Sequence, residues 1–418
     1  MLFKFFGAAQ EVGRSAIYMK DVKGVLFDYG IKLGTEKPEY PIGMPDMDAF
    51  VLSHAHIDHC GAAPTIYNEL YVPTFGTRPT LKLSNILLED SLSVARKNHT
   101  QAKFHKRQIK TFTNKFMSKD YHKPFRIGDM ELEFFDAGHI AGSAVTLINR
   151  KNAKENRRVV YTGDFKLEPQ SLHKGAEIVE SDVLVMESTY AKRKHPDRKE
   201  LVNRFITAIK ETIDNGGNAL VPVFAVGRSQ EILYLLHKHN LSGYTYIDGM
   251  ARAATKAVLN YPDYIQNHKH LEDALDQAQV ISDSAHRKEA LESPSVILTT
   301  AGMLSGGPVL NYITKLNKYS QIMLTGYQVD GSNGRTLLDH KKVVIDGVTH
   351  KIETPASYFD FSAHAGRDDL YEYVKKSNPS TVICVHGDEE NAKDLAENLA
   401  MEGYKTHAPK LGETIKLE

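Results

Sequence analysis

Phe50-Val-Leu-Ser-His54-Ala-His56-Ile-Asp58-His59-Cys60-Gly61 sets four potential metal ligands within six residues. They follow directly on an apolar run, residues 49–52, that reads as a buried strand. Imidazole suits zinc, and a carboxylate can bridge or bind a second ion, so one short loop could hold parts of two metal sites. A His-rich surface loop is the plain alternative. Such a loop has no need to place every ligand just past a buried strand.

Working outward, 418 residues exceed one ordinary domain and make two the natural expectation. Hydrophobic residues make up 41%, enough for real cores. Lys+Arg and Asp+Glu both total 52, so net charge does not mark a nucleic-acid binder, and any polyanion must be held by local patches. Two cysteines, Cys60 and Cys384, make no disulfide framework, which points to a reducing compartment. Met1-Leu-Phe-Lys-Phe-Phe-Gly7 is too short before its glycine to be a signal peptide, and no run reaches the roughly 18 apolar residues of a membrane span. A soluble, cytoplasmic protein without membrane contact is expected.

Strands are predicted at 3–6, 16–19, 25–27, 130–135, 159–162 and 183–186, with helices at 62–69 and 80–94. After Tyr190 the pattern changes. Leu201, Phe205, Ile209 and Ile213 recur at i+4 and mark an amphipathic helix closed by Asn215-Gly216-Gly217. Strands at 219–224, 296–300 and 322–325 each run into a glycine-bearing turn, the first followed by a helix at 231–239. This alternation predicts a parallel α/β unit. From Lys342 the β-rich style returns, ending in a strand at 381–385 and a helix at 389–401. The expected organisation is a first domain at 1–190, an insert at 191–344 and a return segment at 345–418. Residues 95–123 carry nine Lys or Arg against one acid, Asp120, with Phe104, Phe112, Phe116 and Tyr121 interleaved. Two readings stand for it, a solvated helical face or a positive wall beside a polyanion.

Asp28, His54, His139, Asp164, Glu187 and His386 each closely follow an apolar strand. Loops at strand ends in a layered fold converge on one edge, where sites form. One such His is more often structural; six such placements are hard to get by chance. On these residues the chain resembles the β-CASP nucleases of the metallo-β-lactamase superfamily, above all the cleavage-and-polyadenylation-specificity-factor-like branch of archaea and bacteria. The matching motifs are Phe27-Asp28-Tyr29-Gly30, the His54 to His59 loop, and His139 in Asp136-Ala-Gly-His-Ile-Ala-Gly-Ser143. They continue with Asp164 in Thr162-Gly-Asp-Phe165, Glu187-Ser-Thr-Tyr190, His364 in Phe361-Ser-Ala-His-Ala365, and His386 in Val385-His-Gly387.

The resemblance implies an α/β fold, a metallo-β-lactamase αββα sandwich with an inserted β-CASP α/β domain. It implies two Zn2+, one on His54, His56, His139 and Asp164, the other on Asp58, His59, Asp164 and His386, with Asp164 bridging. It also associates a His at position 386 with RNA-directed members. Two cations about 3.5–4 Å apart suit in-line hydrolysis of a phosphodiester. The leaving 3′-oxygen needs a proton, which His364 would supply with Glu187 orienting and charging it. Asp58, His364 and Glu187 are thus the catalytic candidates, and Asp28 would orient the ligand loop through hydrogen bonds.

Substrate grip is expected from Arg228, Ser229, Ser305, Gly306 and Arg335, on glycine-bearing turns that offer N–H groups or charge to phosphate. The expected activity is a zinc-dependent ribonuclease on single-stranded RNA, endonuclease or 5′→3′ exonuclease. The rivals are a DNA nuclease of the same group and a non-catalytic RNA-binding scaffold. A homodimer through the C-terminal strand at 413–417 is a family-level expectation.

Overall fold

In a computed structural model, residues 1–33, 37–97, 99–151, 156–329 and 331–417 are described. Asn98, within the basic segment, lies outside them. The chain forms two compact units, Met1–Pro169 with His173–Lys194 and His364–Glu418, and Gln170–Leu172 with His195–Ala363.

The first unit is built on two seven-stranded sheets. One runs Thr414–Lys416, Leu2–Gly7, Ala16–Lys20, Gly24–Phe27, Ala49–Val51, Thr74–Gly76, Phe116–Ser118. The other runs Lys405–His407, Thr381–Val385, Val183–Glu187, Asn156–Tyr161, Ala144–Lys151, Met130–Asp136, Phe125–Ile127. The central strands Gly24–Phe27, Ala49–Val51, Val183–Glu187 and Thr381–Val385 are apolar at nearly every position because both faces are covered. Val25, Phe27, Val51, Val183, Val185 and Ile383 join one core with Phe134 and Val159 between the sheets. Leu26, Phe50 and Leu52 point the other way, onto Leu88, Ile109 and Phe112 of the helices Arg78–Lys97 and Lys106–Lys115. Leu184, Met186, Val382 and Cys384 do the same beneath Leu370 and Tyr373 of Arg367–Ser377 and Leu395 and Leu399 of Glu389–Met401. Helix, sheet, sheet, helix is the expected αββα sandwich.

Within the second sheet Asn156–Tyr161, Val183–Glu187 and Thr381–Val385 lie side by side and parallel. Met130–Asp136 runs the same way, since two antiparallel pairings separate it from Asn156–Tyr161. In the first sheet Gly24–Phe27 and Ala49–Val51 are parallel neighbours. The C-terminal end of each of these strands is where an acid or histidine was expected.

The second unit holds a six-stranded sheet, all parallel, in the order Gln279–Val280, Thr245–Asp248, Ser295–Thr299, Asn218–Pro222, Gln321–Leu324, Ala356–Tyr358. It extends to Ala363, beyond the boundary expected at 344, because Ala356–Tyr358 pairs with Gln321–Leu324. A two-stranded hairpin, Lys342–Ile345 with Val348–Lys351, stands between them and carries the β-rich character read from Lys342 onward.

Of the aromatics interleaved in the basic segment, Phe104 and Phe112 are buried in the core, Phe116 packs against it, and Tyr121 donates to Ser143 O at 2.7 Å. They anchor the segment. Lys106, Arg107 and Lys110 are exposed. Charge is what this segment offers to solvent.

Candidate metal centre

The ligand loop starts where Ala49–Val51 stops, and the single helical turn Ile57–Cys60 folds Asp58 and His59 back beneath it. His54 and His59 are fully buried; His56 and Asp58 are half-buried. Gly30 lets the chain after Asp28 lie against this turn: a side chain there would collide with the backbone of Asp58 and His59. Tyr29 N donates to His59 O at 2.8 Å and Gly30 N to Ser15 O at 2.9 Å.

His54, His56, His139 and Asp164 form one cluster. His56 Nδ1 lies 3.2 Å from His54 Nε2 and 2.9 Å from His139 Nε2. Asp164 Oδ2 lies 3.5 Å from His54 Nε2 and 3.8 Å from His139 Nε2. Asp58, His59, Asp164 and His386 form a second. His59 Nε2 is 3.2 Å from Asp164 Oδ2, and His386 reaches Asp58 Oδ2 and Asp164 Oδ1, each at 3.3 Å. A tetrahedral ion with bonds of about 2.0–2.1 Å sets its ligands about 3.3 Å apart. The observed separations are of that size.

Among the described residues, buried His59 Nε2, Asp164 Oδ1 and His386 Nε2 have no hydrogen-bond partner. Orphaned polar atoms gathered in one buried cluster are costly unless an ion completes them. Burial first, then the adjacent imidazoles of His59, His139 and His56, push His54 well below the ordinary imidazole value despite the opposing pull of Asp164, so the ring is held neutral with a lone pair to give. Burial works toward the neutral acid at Asp164, but His386, His59 and His364 hold it well below the usual carboxylate range. Imidazoles gathered around an ionised carboxylate are a donor set that fits metal cations.

Asp28 buttresses the loop from behind. Its carboxylate, fully buried, accepts from Ser53 N and Ser53 Oγ at 2.8 Å, His59 Nδ1 at 2.7 Å and Tyr161 OH at 2.6 Å. Holding His59 at Nδ1 turns Nε2 toward Asp164 Oδ2 and leaves that nitrogen for a metal ion. Ser53 Oγ also lies 3.0 Å from His54 Nδ1, so one carboxylate steadies two ligand rings. Ser53 and Tyr161 were not singled out from the sequence. Ser53 immediately precedes His54, and that adjacency was the available signal; Tyr161 sits in an apolar strand and had none. Asp28 and His386 adopt φ of 56° and 49°, left-handed backbone that non-glycine residues adopt mainly at constrained sites.

His364 and Glu187 meet beside Asp164. His364 Nδ1 lies 2.9 Å from Glu187 Oε2 and 3.8 Å from Asp164 Oδ2. Glu187 Oε1 accepts from Phe165 N at 2.9 Å. Burial alone would lower His364, but Glu187 and then Asp164 overcome it and raise the imidazole to about 9. The ring keeps part of its surface open, 21% of the side chain, where the clustered histidines His54, His59, His139 and His386 are nearly closed.

The residues expected to grip substrate are placed less uniformly. Arg228 and Ser229 open the helix Arg228–Lys238. Ser229 is corrected: its hydroxyl donates to Ala225 O at 2.6 Å and its N–H to Phe224 O at 3.1 Å, so neither is left for phosphate. Ser305 is exposed and Gly306 has φ 143°, in the loop after Ser295–Thr299. Arg335 lies on Asn333–His340, whose Asn333 Nδ2 donates to Leu304 O at 2.9 Å, so this helix and the Ser305 loop are neighbours. Arg335 itself pairs with Asp339 at 2.7 Å. No helix among the described residues is long and apolar enough to cross a membrane.

Comparison with known proteins gives three family matches. Residues 229–337 match the Beta-Casp domain, residues 349–409 the Zn-dependent metallo-hydrolase RNA specificity domain, and residues 7–213 the Anti-Pycsar protein Apyc1. "Probable RNase MJ4" of Methanocaldococcus jannaschii is 41% identical over 99% of both chains. "RNase aCSPSF2" of Saccharolobus solfataricus is 34% identical over 99% of this chain and 85% of its own. "Transcription termination factor FttA" of Methanocaldococcus jannaschii is 32% identical over 94% and 68%. A crystal structure of a protein of unknown function from Enterococcus faecalis shares the fold, with a TM-score of 0.62 at 16% identity over 100% of this chain and 99% of that one.

Proposed function

The chain belongs to the β-CASP family of metallo-β-lactamase-fold ribonucleases, and from that premise we propose that it hydrolyses phosphodiester bonds of single-stranded RNA with two zinc ions sharing Asp164. The observation that carries the reading is the pair of four-ligand clusters with Asp164 in common, and the His364–Glu187 pair at their side.

His54, His56, His139 and Asp164 would hold one ion, and Asp58, His59, Asp164 and His386 the other. Bound there, the cations would neutralise charge building on the phosphoryl oxygens and favour deprotonation of the attacking water. Asp28 and Ser53 keep His59 and His54 in the tautomer and orientation that ligation needs. Asp58, half-buried at the rim, is both a ligand and the carboxylate best placed to accept a proton from water. His364 is the acid. Glu187 receives the Nδ1 hydrogen bond and favours the charged ring, so the other ring nitrogen carries a proton to give the leaving 3′-oxygen. Hydrolysis so arranged leaves a 5′-phosphate and a 3′-hydroxyl. A scaffold without catalysis would have no use for the intact ligand set or for a charged His364.

The test is end-labelled single-stranded RNA and DNA of one sequence, each incubated with metal-loaded protein. The reading predicts that RNA is cut faster, with 5′-phosphate and 3′-hydroxyl ends. Water attack makes no use of the 2′-hydroxyl, so the preference comes from binding contacts. Equal rates on both strands would reassign the chain to DNA or to no preference.

A further inference from the structure

In the parallel sheet of the second unit, Asn218–Pro222 lies between Ser295–Thr299 and Gln321–Leu324. The chain leaves Asn218–Pro222 toward Thr245–Asp248 on one side, and leaves Ser295–Thr299 toward Gln321–Leu324 on the other. Strand order therefore reverses at the centre of the sheet, and the C-terminal ends of parallel strands at such a reversal are where α/β sheets bind ligands.

Phe224 sits there, just past Asn218–Pro222, half-buried. The turns after both neighbouring strands bring a glycine against its ring. A Cβ on Gly326 would lie 2.5 Å from Phe224 Cε2, and one on Gly302 would lie 3.4 Å from Phe224 Cδ1. Bare backbone thus grips both ring edges and holds the plane in one orientation. Tyr327, next to Gly326, is 38% exposed.

The same loop continues to Arg228, and several of its other polar groups are already used. Gly227 N donates to Gln230 Oε1 at 2.7 Å, Gln230 Nε2 to Ala225 O at 3.1 Å, and Ser229 N and Oγ to Phe224 O and Ala225 O. Arg228 is the exception. It is 8% exposed, and its buried Nε and Nη1 have no hydrogen-bond partner among the described residues. The neighbouring carboxylate, Glu231, is engaged through Oε1 by Arg198 and by Ser171 N. Burial, and then the charge of Arg198, pull the guanidinium down to about 10 despite Glu231. A buried cation with unused donors beside a second cation destabilises the fold unless an anion completes it. Guanidinium donors match a phosphate's oxygens.

We propose that the loop from Phe224 to Arg228 is a nucleotide subsite for single-stranded RNA, with a base stacked on the Phe224 ring and the phosphate taken by Arg228. The inference rests on the ribonuclease reading and adds to it a specific place of contact. Stacking on an aromatic tolerates any base, so the subsite grips RNA without reading its sequence.

The test compares wild-type, Phe224→Leu, Arg228→Met and Arg228→Lys proteins, metal-loaded, on a fluorescent single-stranded RNA. KM and kcat are measured at several salt concentrations, with a thermal melt of each protein. Contacts remote from the scissile bond raise KM and spare kcat. Phe224→Leu should raise KM about tenfold with an unchanged salt slope, because stacking is not ionic. Arg228→Met should raise KM and make the slope of log(1/KM) against log salt shallower by about 0.7, the share of one phosphate on a single strand. Its melting temperature should stay level or rise, since a buried charge with unsatisfied donors has gone. Arg228→Lys should raise KM with the slope kept. Unchanged KM in the Phe224 and Arg228 variants overturns the subsite. So does an Arg228→Met protein that melts lower than wild type and keeps its salt slope, because Arg228 would then be structural. Failure of the ribonuclease reading itself is seen separately, in a wild-type chain that leaves the RNA uncut.

Discussion

Replacing Asp28 by Asn keeps the size and the left-handed backbone, which Asn tolerates, and changes only what the carboxylate accepts. Four donors point at this buried group: Ser53 N at one oxygen, and Ser53 Oγ, His59 Nδ1 and Tyr161 OH at the other. If the amide nitrogen replaces the first oxygen, it faces the Ser53 N–H. If it replaces the second, the two hydroxyls can rotate, but His59 must accept at Nδ1 and move its proton to Nε2, the nitrogen that belongs to the second ligand cluster. A buried donor left unsatisfied costs about 1–3 kcal/mol, and the lost charge weakens the remaining bonds, so the metal-free variant should be about 2–4 kcal/mol less stable. Loss of such an outer partner lowers metal affinity roughly 10–100-fold. Denaturant unfolding of the metal-free protein and competition with a graded chelator read the two effects. Wild-type metal affinity in Asp28→Asn would refute the role given to this carboxylate.

His364→Ala should keep its metals and RNA affinity and slow single-turnover cutting by roughly 10²–10⁴, with Glu187→Gln milder; loss of a metal from His364→Ala would show the ring is a ligand. Asp136 is raised to about 6, by burial first and Glu177 next, against a hydrogen bond from Gly138 N. The folded chain then binds more protons than the unfolded one between about 4 and 6, so this residue's contribution to stability falls as pH rises through that window. Asp136→Asn should therefore be more stable than wild type at pH 7, by up to about 3 kcal/mol, and should lose this part of the pH dependence, as chemical unfolding at pH 4.5 and 7.5 will check. Replacing exposed Lys106, Arg107 and Lys110 by Ala should weaken RNA binding and reduce the salt slope by up to about 2. Unchanged affinity and slope would leave those charges to solvent.

The clustered acids and histidines were legible because each sits in a short motif at the end of an apolar strand, and parallel strands deliver their C-terminal ends to one edge. Asp164, His139 and His386 needed no three-dimensional information beyond that rule. What held them was less legible. Tyr161 reaches Asp28 across 133 residues of chain and looks, in sequence, like one more strand residue. The end of the second unit was misplaced for a similar reason, since the pairing of Ala356–Tyr358 with Gln321–Leu324 is non-local and the intervening hairpin imitates the first unit's style. The helix expected at 62–69 is a short 3-10 segment, Ala63–Asn68, with Pro64 near its start and β-branched Thr65 and Ile66 inside it. Ser229 shows the limit of turn motifs. The Gly227-Arg228-Ser229 pattern was read as N–H groups for a phosphate, and the fold uses those of Gly227 and Ser229 to close its own loop.

Metal content tests the shared-Asp164 centre most directly. Elemental analysis of metal-repleted protein, washed free of loose ions, should give two zinc ions per chain for wild type and for His364→Ala, and about one for His386→Ala. A folded wild-type chain with no bound metal would contradict it, as would a His364→Ala protein that loses an ion while His386→Ala keeps both.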